Sequence, residues 1–143
     1  MVSFVLNKAY NYLQTTQRYY LKKDDRLKSR KAIDELFNKG LSFSNFPFRV
    51  LWLKTENEDG LQAGFSASTK NFKRAVDRNR IKRLMREAYR LQKNDLQSLL
   101  SSNKKSIHLF IIFTGKEVPQ YDVIFEKTGS VLKRIIKLVN ENI

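Results

Sequence analysis

Between Lys70 and Lys93 the chain carries ten basic side chains, Lys70, Lys73, Arg74, Arg78, Arg80, Lys82, Arg83, Arg86, Arg90 and Lys93, against only Asp77 and Glu87. Guanidinium and ammonium groups at this density suit phosphate: they make charge-assisted hydrogen bonds to a polyanion, forked in the case of arginine. A helix over about 76–93 has to position them. On a wheel of about 100° per residue with Asn79 at zero, Arg83, Arg86 and Arg90 fall within about 40° of it, whereas Ile81, Leu84, Met85, Ala88 and Leu91 gather on the far side. One face therefore buries and the other presents arginine. Arg78, Arg80 and Lys82 flank the stripe near the first turn, where free backbone N–H groups and the positive end of the helix dipole add to the attraction for phosphate. A merely solvated face mixes signs to gain i,i+4 pairs, but here Glu87 is the sole acid after Asp77, and Arg83, Arg86 and Arg90 repel one another. A bound anion would relieve that repulsion.

Other chemistries have little to work with. There is no cysteine, which excludes disulfides, thiolate catalysis and thiolate-bound metal. The single histidine, His108, lies inside the apolar run Ile107–Phe113, where a structural role is expected. Asp24, Asp25, the acidic residues from Glu56 to Asp59, Asp122 and Glu126 are scattered without a motif that would gather a pair of metal ions.

The chain has 143 residues, 28 Lys and Arg against 14 Asp and Glu, a formal net charge of +14 and a pI near 10.1. That length suits one domain, and 41% hydrophobic residues with 10 Phe and 6 Tyr are enough for a core. The charge is concentrated: residues 70–93 carry a net +8 and residues 18–31 a net +5, so two segments account for nearly all of it and read as a footprint for nucleic acid. No stretch reaches the roughly 18–20 apolar residues of a membrane span, and Met1–Leu6 lacks the marks of a secretory signal. A soluble, cytoplasmic protein is the expectation.

The elements expected around the basic helix are these. Ser29 can cap a helix over about 29–39 that stops at Gly40 and sets Ile33, Leu36 and Phe37 on one face. Phe46–Lys54 and Leu61–Ser68 read as a hairpin closed by Asn57–Gly60. Ile107–Phe113 reads as a strand buried on both faces, and residues 122–140 as a helix with Ile124, Val131, Leu132, Ile135, Ile136 and Val139 on its apolar side. An α+β sandwich follows, with helices packed on one sheet. Residues 1–22 form an N-terminal extension, either a docked amphipathic helix or an arm, ahead of a domain over 23–143. Phe37, Phe43, Phe46, Phe48 and Trp52 cluster next to the basic 18–31 segment; most are core, and one or two beside Lys70 and Arg26 would suit unpaired bases.

The segment Gly64–Arg90, GFSASTKNFKRAVDRNRIKRLMREAYR, resembles the signature of the bacterial ribonuclease P protein, centred on Arg78-Asn79-Arg80 and continued by Ile81, Lys82, Arg83 and Arg86-Glu87. RLKSRKAIDELFNKG, Arg26–Gly40, is similar to the family's opening segment, and the resemblance runs over about 24–140. It implies an α-β-β-β-α-β-α order, a mixed sheet and a left-handed βαβ crossover. It also implies a non-catalytic protein subunit: a large RNA uses Mg²⁺ to hydrolyse precursor tRNA at its 5′ end, and the protein binds that RNA and the 5′ leader. Carried over by matching position, Lys70, Lys73, Arg74, Arg78, Asn79, Arg80, Lys82, Arg83, Arg86 and Arg90 would face the catalytic RNA. Arg26, Ile33, Phe37, Phe48 and Lys70 would line the leader cleft, with Ile33 standing where another member carries Phe. The partners implied are ribonuclease P RNA and precursor tRNA, with no DNA and no membrane, and the only cofactor is Mg²⁺ held through the RNA.

Three other readings compete on the residues alone. A general RNA-binding or ribosome-associated protein shares the charge but would show no preference for a leader. A DNA-binding helix module needs a partner helix and a short turn before residue 76, which the pattern lacks. A membrane-surface helix needs its apolar face free, whereas this one is committed to a sheet.

Overall fold

The computed structural model describes residues 23–56 and 60–141; the expected 1–22 extension lies outside the described residues. After a 3₁₀ turn, Lys23–Asp25, come helix α1 (Arg30–Lys39), strands β1 (Leu41–Asn45), β2 (Phe48–Thr55) and β3 (Leu61–Ala67), helices α2 (Ala75–Gln92) and α3 (Asn94–Ser102), strand β4 (Ser106–Phe113) and helix α4 (Tyr121–Glu141). The α+β class and its order of elements agree with the sequence, with α3 as an addition. Helix α1 starts and stops where its caps dictate: Ser29 Oγ accepts from the Ala32 N–H at 3.3 Å, and the Gly40 N–H donates to the Leu36 carbonyl at 2.8 Å.

The sheet corrects the expected hairpin. Its order is β1-β2-β4-β3, so β2 and β3 are not neighbours. The hairpin instead joins β1 and β2, from Leu41 opposite Trp52 to Asn45 opposite Phe48, around the cis Phe46–Pro47 peptide. Strand β4 inserts between β2, to which it is antiparallel, and β3, to which it is parallel. The physical reason is burial. Ile107–Phe113 is the most apolar strand, and a central position covers both of its edges and both of its faces. The basic helix runs over Ala75–Gln92, in agreement with the expected 76–93, and Leu96 and Leu100 anchor the separate helix α3.

Strand alternation sends alternate residues to two unequal layers. On one face Phe48, Val50, Trp52, Leu61, Ala63, Ile107, Leu109, Ile111 and Phe113 form the main core beneath α2, α3 and α4. Helix α4 contributes Ile124, Val131, Leu132, Ile135 and Val139 to it, with Ile136 only partly buried. On the other face α1 seats Leu36 against Leu27 and Leu51, with Ile33, Phe110 and Ile112 partly buried around them. This second layer is small and leaves part of the sheet uncovered.

Candidate nucleic-acid interface

Helix α2 is anchored by Ile81, Met85, Ala88 and Tyr89, each at most 1% exposed. Burying an Ile or Met side chain is worth about 1.5–3 kcal/mol, whereas a like-charge pair one turn apart costs about 0.2–0.5 kcal/mol. The core therefore holds the arginine stripe outward despite its repulsion. Leu84 and Leu91, expected among the buried residues, sit at the margin and are only partly covered, while Tyr89 takes a core place that the wheel reading had not given it.

Asn79, Arg80, Arg83 and Arg86 are exposed on α2 as expected, and Lys82 is partly so. Arg90 belongs to the stripe but is held within the protein: its Nε and Nη2 reach the Glu87 carboxylate at 3.2 and 2.5 Å. Arg78 is half-buried, and its Nη1 donates to the carbonyls of Phe72 at 2.7 Å and Lys73 at 2.8 Å. In the loop leading into α2, Lys70, Lys73 and Arg74 are exposed, Arg74 pairing with Asp77 at 3.4 Å.

The tertiary structure adds Arg26 to this surface. Residue 26 bridges Ala63 at the outer edge of β3, and the Leu27 N–H donates to the Ala63 carbonyl at 3.0 Å. Leu27 turns into the α1 layer, so the side chain before it turns towards α2. The Asp25 carboxylate meets the buried Lys93 ammonium at 3.8 Å, and Lys93 also donates to Gln97 at 2.9 Å, which ties this segment to the end of α2. The consequence is electrostatic. Partial burial, then Arg26, then Arg83 lower the pKa of the Arg86 guanidinium. Three cations from two distant segments thus share one field, which a phosphate would neutralise. Burial and the nearby Asp25 carboxylate likewise push the Tyr89 phenol up, so it stays neutral under the ion pair.

The residues expected to hold a leader divide between the two faces of the sheet. Phe37 is 48% exposed and meets Phe110 edge-on at 5.3 Å between ring centroids. Ile33 is half-buried beside it on α1. Phe48 is a correction: it is 1% exposed and packs on Phe113 at 6.2 Å in the main core, because it shares strand parity with Val50 and Trp52. It offers no ring to a ligand. Phe110 takes its place at the surface layer, with Arg49 exposed on β2 opposite Ile112. Gly64 makes room for it, since a Cβ there would stand 2.8 Å from the Phe110 ring. Sequence reading had buried Phe110 on both faces; its parity, opposite to that of Leu109 and Ile111, was the usable signal. Of the other aromatics, Trp52 is core, Phe46 is 73% exposed at the β1–β2 turn, and Phe43 lies under the Arg134 guanidinium at 4.2 Å.

His108 is buried in β4, as the structural reading expected. Among the described residues no three His, Asp or Glu side chains are grouped to hold a metal ion, and no helix is long and apolar enough to cross a membrane.

Comparison with known proteins agrees with this geometry. The family model described as Ribonuclease P matches residues 21–136. The ribonuclease P protein component of Porphyromonas gingivalis strain ATCC 33277 is 34% identical over 117 residues, covering 80% of this chain and 85% of its own. That of Shouchella clausii is 39% identical over 117 residues, covering 82% and 87%. Among solved structures, the Staphylococcus aureus RNase P protein superposes with a TM-score of 0.60 at 25% identity, over 78% of this chain and 94% of its own. The Thermotoga maritima RNase P protein gives 0.58 at 27% identity, over 76% and 96%. An arginine-faced helix, a mixed sheet in the order β1-β2-β4-β3 and these relatives together make the chain a member of the ribonuclease P protein family.

Proposed function

We propose that this chain is the non-catalytic protein subunit of ribonuclease P, binding the catalytic RNA through α2 and the 5′ leader of precursor tRNA through the α1 face of the sheet. The observation that carries the reading is the exposed face of α2, where Asn79, Arg80, Arg83 and Arg86 stand outward from a helix anchored by Ile81, Met85 and Ala88, with Arg26 bridged to Ala63 on the neighbouring strand β3. Each guanidinium set against a phosphate releases a counterion, so affinity and salt dependence both scale with the number of contacts. Arg80, Arg83 and Arg86 lead this surface, with Asn79 and Lys82 beside them. Lys73 and Arg74 extend it into the preceding loop.

A different chemistry belongs to the leader. Phe37 and Phe110 present aromatic edges and faces next to Ile33, a surface on which an unpaired base can stack for about 1–3 kcal/mol, while the Arg49 and Lys70 cations follow its backbone. The hydrolysis and its Mg²⁺ ions are assigned to the RNA, and the protein's contribution is to hold the precursor in place and to offset phosphate repulsion when Mg²⁺ is scarce. The site of action is the cytoplasm, where precursor tRNA is made in a bacterial cell.

The test is cleavage of a precursor tRNA at low Mg²⁺ by a bacterial ribonuclease P RNA, with the protein, without it, and with the protein alone. Cleavage only in the combined reaction is the expected result. RNA binding without stimulation would favour a general RNA-binding protein, and cleavage by the protein alone would overturn the non-catalytic assignment.

A further inference from the structure

The first arginine of the Arg78-Asn79-Arg80 triplet is placed unlike the second. Arg80 is exposed, whereas Arg78 is half-buried and directs Nη1 back at the loop that precedes its own helix, to the Phe72 and Lys73 carbonyls at 2.7 and 2.8 Å. An amino group with two protons and two acceptors at these distances is fully used. Helix α2 has no side-chain cap at its start: Arg74 occupies the N-cap position and makes no capping bond. The carbonyls of the entering loop thus converge on a guanidinium one turn into the helix.

That loop, residues 68–74, carries three of the cations expected at the RNA surface. Its near end is tied down independently. The Phe72 N–H donates to the Ser68 carbonyl at 3.0 Å, Asn71 Nδ2 donates to the Thr114 and Gly115 carbonyls at 3.2 and 3.3 Å, and the Phe72 ring is buried against Phe113. Lys73 follows directly after this anchor, with its side chain exposed. The described bonds hold its backbone at one point, the carbonyl gripped by Arg78.

We propose that Arg78 is a positioning residue, which fixes the backbone at Phe72 and Lys73 so that Lys73 and the neighbouring Arg74 stand in register with the α2 arginine stripe. The inference rests on the RNA-binding reading above. Arginine suits the task because its planar NH₂ group meets two carbonyls at once.

The test uses the full chain and a bacterial ribonuclease P RNA. Affinities are measured for the wild type, R78M, K73Q, R80Q and the doubles R78M/K73Q and R80Q/K73Q, and amide exchange is followed in the free proteins. R78M keeps the aliphatic stem and so the local packing. R78M is expected to lose about tenfold in affinity and K73Q about fivefold, with the R78M/K73Q double no more than about twofold below R78M. In R80Q/K73Q the two losses multiply. Exchange across 68–74 should quicken by about tenfold or more in R78M while that of β4 is unchanged. Multiplying losses in R78M/K73Q, wild-type affinity of R78M, or wild-type exchange in the loop would each overturn the proposal. A merely stabilising Arg78 would leave the coupling to Lys73 at zero. Failure of the wild type to bind the RNA sinks the functional reading instead, and the exchange measurement still decides whether Arg78 grips the loop.

Discussion

Replacing Arg83 and Arg86 together by Gln tests the interface most directly, because the structure separates free cations on α2 from committed ones. Among the described residues neither side chain is in an ion pair, and both are exposed. The fold should therefore survive, with an unchanged circular dichroism spectrum and a melting temperature equal to or above that of the wild type, since like-charge repulsion is relieved. If each guanidinium neutralises one phosphate, the slope of log K against log salt falls by about 0.7–0.9 per contact, or about 1.4–1.8 for the pair. Carried from a 1 M reference to about 0.15 M salt, that slope amounts to a loss of about 15–30-fold in affinity. The control is R90Q, whose guanidinium is already held by Glu87 at 3.2 and 2.5 Å and should cost less than about threefold. The assay is anisotropy of labelled ribonuclease P RNA titrated at four or more potassium chloride concentrations. A double variant with the wild-type slope, or an R90Q effect as large as that of the pair, would refute the assignment of the stripe.

Two further outcomes follow from the two faces of the sheet and from the ion pair beneath the arginines. F48A should lose about 3–5 kcal/mol in urea unfolding because it empties a fully buried site. F37A should instead lose less than about 1 kcal/mol of stability and selectively weaken binding of leader-bearing over leaderless tRNA; equal stability losses in the two variants would contradict the placement of the rings. K93M leaves the Asp25 carboxylate, whose side chain is 14% exposed, without the ammonium at 3.8 Å. A destabilisation of about 3 kcal/mol is expected, at the low end for a broken buried pair because Asp25 keeps some water, and D25N/K93M should recover much of it. Chemical denaturation of K93M and D25N/K93M beside the wild type decides, and a K93M loss below about 1 kcal/mol would mean that the pair does not hold the segment.

Much of the candidate interface was legible because helix periodicity is local. The spacing of Ile81, Met85 and Ala88 against Arg83 and Arg86 names both faces of α2 without knowledge of what lies beneath. Ser29 and Gly40 likewise bound α1 through bonds that span three or four residues. Phe48 and Phe110 were misplaced for the complementary reason. Strand alternation says that neighbours point to opposite faces, and which face meets three helices depends on partners tens of residues away. Arg78 reads from sequence as an RNA-facing cation flanking the stripe because its residue type suits phosphate as well as carbonyls, and only the fold of the preceding loop shows which acceptors it meets.

The sequence by itself determined the class of ligand, the helix that presents the cations and the extent of most elements, since charge, apolar period and caps act over a few residues. Tertiary structure alone decided that β4 separates β2 from β3, that Arg26 joins Arg83 and Arg86, and that Phe110 rather than Phe48 stands beside Phe37. Each of these depends on a pairing between segments distant along the chain. Such pairings are selected by the burial of the whole core, and no local pattern encodes them.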